Sequence, residues 1–78
     1  MITRTGLNHR ERQLAGDIVS LTNRGFRDLT QGNGSTLKAA ALTAGELAAQ
    51  HRVPSATRRE ATDIAKRIDA VLRATKRV

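Results

Sequence analysis

Cysteine is absent from all 78 residues, which excludes disulfide cross-links, thiolate metal sites and thiol nucleophiles. Tryptophan and tyrosine are absent as well, and Phe26 is the only aromatic residue. The stacking platforms on which proteins lay single-stranded bases therefore have almost nothing to be built from. Proline occurs once, at position 54, so long stretches run without a helix breaker. No apolar run approaches the ~18 residues of a membrane span, and Met1-Ile2-Thr3-Arg4-Thr5 lacks the apolar block of a secretory leader, so no membrane is expected and the expected compartment is the cytoplasm. Acidic residues are also scarce, with seven Asp and Glu against fourteen Lys and Arg, a net charge of +7.

A chain of 78 residues is expected to form one domain over residues 1–78, near the size at which a single core still suffices. Its basic excess concerns partners and solubility and says nothing of fold. Polyanions head the list of partners, against a plain alternative in which the positive faces are only solvated.

Helical signals dominate. Asn8 and Glu11 stand three apart, the reciprocal pairing that satisfies the first amides of a helix. Leu14, Ile18, Leu21 and Thr22 follow at spacings of three and four. This first helix covers about 9–24 if Gly25 takes a left-handed turn and Phe26 folds back on Leu21, or 9–30 if it continues through Gly25. Gln31-Gly32-Asn33-Gly34-Ser35 is a connector. An alanine- and leucine-rich second helix is expected over about 36–51. There Leu37, Ala41, Ala44 and Ala48 share a face while Leu42 falls opposite. That conflict predicts either a helix buried on two sides or a break near 43, which is attractive because Thr43 and Glu46 make a second capping box. Val53-Pro54 ends the helix. A third spans about 55–76, capped by Ser55 or by Thr57 with Glu60, and its apolar stripe runs Ala61, Ile64, Ala65, Ile68, Val71 and Leu72. The expected fold is all-α, a compact bundle of three to four helices.

Nothing in the chain argues for an enzyme, a metal or another cofactor. His9 and His51 fall on different elements, Ser20, Ser35 and Ser55 lack a nucleophile-elbow context, and Gly32 and Gly34 are not followed by the Gly-Lys-Ser/Thr of a phosphate loop. Charge is the stronger signal. Residues 55–78 hold seven basic and three acidic groups, +4 of the total +7. At 100° per residue Arg58, Lys66, Arg73 and Lys76 lie within about 80° of one another, with Arg59 and Arg77 about 20° beyond, away from the apolar stripe. Asp69 lies inside this ridge and Asp63 and Glu60 flank it, so a phosphate-binding face and a self-neutralised one are weighed evenly.

The stretch Glu46-Leu47-Ala48-Ala49-Gln50-His51-Arg52-Val53-Pro54-Ser55-Ala56-Thr57-Arg58-Arg59 resembles the helix-turn-helix family of DNA-binding domains, a likeness covering residues 46–64. It has a Leu-Ala pair in a supporting helix, a short turn carrying Val53 and a polar start to the next helix. Arg52, His51 and Arg58 stand where the family usually has glycine, an apolar residue and a buried aliphatic. The resemblance implies that the second helix enters the major groove with Ser55, Ala56, Thr57, Arg58 and Arg59 facing DNA while nearby residues hold phosphates. Arg52 in the turn and Lys66 and Arg73 from the basic ridge complete the candidate nucleic-acid contacts. The expected function is a small DNA-binding regulator of transcription acting on double-stranded DNA, paired as a homodimer because one small module covers little of a duplex. The alternative is a protein-interaction module, an adaptor or inhibitor that docks an acidic partner or uses Ala39, Leu42 and Ala49 as its interface.

Overall fold

A computed structural model describes residues 5–76 of the chain, the side chain of Lys76 excepted. It is all-helical: α1 (His9–Leu29), α2 (Ser35–Ala48) and α3 (Ser55–Lys76), without a strand among the described residues. At 1.5 Å per residue α1 and α3 are each about 32 Å long. Helices of that length fit the molecule, 40 × 17 × 16 Å, only along its long axis. The result is an up-down-up bundle.

The start of α1 is the capping box foreseen from the chain. Asn8 Oδ1 accepts from the Glu11 backbone N–H at 2.8 Å, and Glu11 Oε1 accepts from that of Asn8 at 2.9 Å. Of the two expected lengths the longer is the better match, since α1 runs unbroken through Gly25 to Leu29. Gly25 is needed there for space, not for a turn. A Cβ on it would lie 2.7 Å from Leu37 Cγ and 2.9 Å from the Leu37 backbone nitrogen. Phe26, one step around the helix, is left 45% exposed instead of folding onto Leu21. The left-handed residue that stops α1 is Gly32, at φ +83°. Its N–H donates to Leu29 O while that of Asn33 donates to Asp28 O, the paired bonds of a Schellman motif.

Two expectations for α2 and one for α3 are corrected. α2 does not break near 43, because the Thr43 hydroxyl donates back to Ala39 O at 2.9 Å and caps nothing. Nor is α2 buried on two sides. It packs against both neighbours through one face of Leu37, Ala40, Ala44 and Leu47, leaving Leu42 71% exposed. Thr57 lies in the first turn of α3 and is 1% exposed, so it belongs to the core and cannot be the residue before the helix; the Pro54 carbonyl accepts from Arg58 N instead.

The core falls into two joined clusters. One gathers Leu7, Ala15, Ile18, Ala44, Leu47, Val53 and Ala61. The other gathers Leu37, Ala40 and Ile68, with Leu21, Leu29 and Leu72 against it. Small residues on α2 let both neighbours approach closely, whereas Ile18, Leu21, Ile64 and Ile68 hold α1 and α3 apart: among the described residues no Cα of α1 comes within 8 Å of one in α3. Replacing Gly25 with alanine should therefore push α1 off α2 and cost about 1–3 kcal/mol in urea unfolding, more than the helix propensity it gains. Gly45→Ala, where a Cβ meets nothing within 4 Å, should instead stabilise by about 0.5–1 kcal/mol.

Candidate nucleic-acid interface

The corner between α2 and α3 consists of residues 49–54, and it turns the chain back on itself. Ala44 and Leu47 share a cluster with Ala61, while Ala40 and Leu37 share one with Ile68. Near the far end a Cβ on Gly34 would meet Leu72 at 3.1 Å. Residues increasingly early in α2 thus face residues increasingly late in α3, and the two helices lie antiparallel along the whole of α2. A helix-turn-helix corner crosses its helices at 90–120° through a turn of three or four residues. The resemblance in residues 46–64 is thus one of sequence, and the local geometry is that of a helical hairpin.

This hairpin decides where the candidate side chains stand. Ser55, Arg59, Lys66 and Arg73 are exposed and Arg58 is half-buried. Thr57 turns inward, which removes it from any surface contact. Arg52 is held elsewhere: its Nη2 donates to Glu11 Oε1 at 2.5 Å and its Nε to Oε2 at 3.3 Å. Glu11 therefore closes the α1 cap and clamps the 49–54 corner at once, with its side chain 7% exposed. The backbone N–H of Asn8 is the main reason its carboxyl titrates below the usual 4.5. Burial opposes that shift, and Arg52 adds to it by hydrogen bond and by charge.

The remaining candidate cations gather on the outward side of α3. Arg59, Lys66 and Arg73 are seven residues apart, so they form one line with steps of about 10.5 Å. Arg58, Arg59 and Lys66 border a shallow hollow of about 400 Å³, floored by Ala48 and Thr62 with Asp63 on its rim. Among the described residues none of Arg58, Arg59, Lys66 and Arg73 is ion-paired with Asp63 or Asp69, although those carboxylates share the exposed side. The first turn of α3 carries no acidic residue, leaving the positive end of its dipole beside Arg58 and Arg59. Arg58 Nε is buried without a hydrogen-bond partner among the described residues. Two further members of the expected ridge, the Lys76 side chain and Arg77, lie outside the described residues.

Among the described residues no three His, Asp or Glu side chains come together as a metal-binding group, and no helix is long and apolar enough to cross a membrane. The contact that sequence reading missed is Glu11–Arg52. Glu11 was legible as a cap, but nothing in the spacing of residues 11 and 52 announces a pair. Comparison of the chain with models of known families, with curated proteins and with solved structures gave no match.

The clamp sets a pH dependence. A carboxyl whose folded pKa is depressed contributes stability above its unfolded value and loses it as pH falls through the folded one. Thermal stability should accordingly drop below about pH 4.5. Glu11→Gln, which keeps a cap acceptor but loses the charge, should flatten that part of the melting-temperature profile. An unchanged acid limb in the variant would mean that the stabilisation lies elsewhere.

Proposed function

We propose that this chain is a small DNA-binding protein, a regulator of transcription, that meets double-stranded DNA through the outward face of α3. The observation carrying this reading is the line of Arg59, Lys66 and Arg73, exposed and not ion-paired among the described residues. On the same face Arg58, Arg59, Lys66 and Arg73 outnumber Asp63 and Asp69 by two charges. Electrostatic attraction to phosphate is the sequence-independent part of duplex binding, and it needs a patch of this kind. Steps of about 10.5 Å are close to the ~12 Å width of the major groove, a match within the reach of long side chains.

The role of each residue follows from its exposure. Arg59, Lys66 and Arg73 hold phosphates. Arg58 and Ser55, beside the start of α3, are the groups nearest to a base edge or to a phosphate at the helix end. Arg52 and Thr57 drop out, the first because Glu11 engages its guanidinium and the second because it is buried. What remains is a surface that tracks backbone more than it reads bases. A second reading, a protein-interaction module, is favoured by Leu42, an exposed leucine on a face that α1 and α3 leave open.

The two readings separate in a titration. With four phosphate contacts, affinity for a mixed-sequence duplex should fall with a log-log salt slope near −3.6, or about 150-fold between 50 and 200 mM salt. Arg59→Ala combined with Lys66→Ala should halve that slope without unfolding the chain, since both side chains are exposed. Fluorescence anisotropy measures both. Absence of duplex binding at 50 mM salt, with binding to an acidic polypeptide retained, would favour the second reading.

A further inference from the structure

We infer that the outward face of α2 is a homodimer interface on which two copies pair antiparallel about a two-fold axis beside Leu42. The pairing is argued from α2 alone; only its consequence for duplex binding rests on the function proposed above.

Leu42 is 71% exposed, and beside it Ala39, Leu42, Thr43 and Glu46 border a shallow hollow of about 450 Å³. These four positions are spaced i, i+3, i+4, i+7, the arrangement that forms the hole for a knob from a facing helix. The face thus carries both a knob and a hole. Gly45 and Ala39 add little bulk, and a Cβ on Gly45 would meet open space, so a second helix can come close.

Charge identifies the occupant. α2 holds two charged residues, Lys38 and Glu46, both exposed and of opposite sign. Each is four residues from Leu42. In an antiparallel pair centred there, position 42+k faces 42−k, so Lys38 of each copy meets Glu46 of the other and Ala39 meets Gly45. A parallel pair would set Lys38 against Lys38. The rest of the molecule carries its entire net +7, which makes this neutral face the one on which two copies approach with least repulsion.

The symmetry has a consequence for α3. A two-fold axis lying in the interface and perpendicular to α2 reverses the helix direction and the facing direction, but leaves the sideways direction unchanged. Both α3 helices then lie along the same edge of the pair, and their lines of cations form one surface twice as rich in phosphate contacts. The face itself is about 21 Å long and about 10 Å wide, which places the contact among small, transient interfaces. Its strength should depend visibly on concentration.

Sedimentation equilibrium of the full chain between about 10 μM and 1 mM tests this, in the range where small interfaces associate. The wild type should approach twice the monomer mass. Leu42→Glu should stay monomeric with unchanged helix content. Lys38→Glu and Glu46→Lys should each weaken association about tenfold, and the double swap should restore it. Since the chain has no cysteine, Leu42→Cys gives a check independent of those variants: mild oxidation should link two copies through position 42. A monomer at 1 mM, a dimer indifferent to Leu42→Glu, or a double swap without rescue would overturn the inference. Loss of the dimer with salt-dependent duplex binding intact would leave the DNA reading standing. A dimer that ignores DNA would do the reverse.

Discussion

The molecule depends on one narrow face of α2 serving two neighbours. Leu37, Ala40, Ala44 and Leu47 are fully buried, and together they form most of what α1 and α3 pack against. A face of two leucines and two alanines is thin, so both partners must come close to bury it, and close approach requires small residues at the contact. Gly25 on α1 is where this is tightest, seated on Leu37. Because each helix row of the core has its position set by α2, a change in that row would move α1 and α3 together.

Polar chemistry completes the frame at the other end of the bundle. Glu11 is among the least exposed charged groups described, and it stays charged because backbone and guanidinium donors surround its carboxylate. The Asn8 cap, the start of α1 and the corner 49–54 are held by that one side chain. Gly6, at φ +81°, brings the segment before α1 against Pro54 in the same region, and Leu7 enters the core beside Val53. Such a clamp costs desolvation and returns geometry. Here it ties the corner that leads into α3 to the start of α1.

From that start the surface follows. Once Thr57, Ala61 and Ile68 point inward, the heptad spacing of residues 59, 66 and 73 puts three long cations on the opposite side, none of them ion-paired with Asp63 or Asp69 among the described residues. The face that α2 turns to solvent is of another kind, nearly uncharged and with a leucine at its middle. Two surfaces so different in charge on so small a body are what the two proposed contacts, one with a polyanion and one with a like copy, would require.

Much of the architecture was legible in the chain. Three helical segments, the Asn8–Glu11 box and the apolar stripe of α3 are local patterns, fixed by hydrogen bonding within four residues and by a period of 3.6. Composition alone determined the excess of cations, the absence of thiols and the scarcity of aromatics for stacking. Local pattern could not decide the fate of Gly25, Leu42, Thr57 or Arg52, because each depends on a residue far along the chain or on where a neighbouring helix stops. Leu37 claims the space beside Gly25, Glu11 takes Arg52 from 41 positions away, and α2 turns Leu42 outward because α1 and α3 both occupy its other side. Whether 46–64 forms a crossed corner or a hairpin is likewise a matter of packing: the later half of α3 has Leu37 and Ala40 to cover, and covering them lays the two helices side by side.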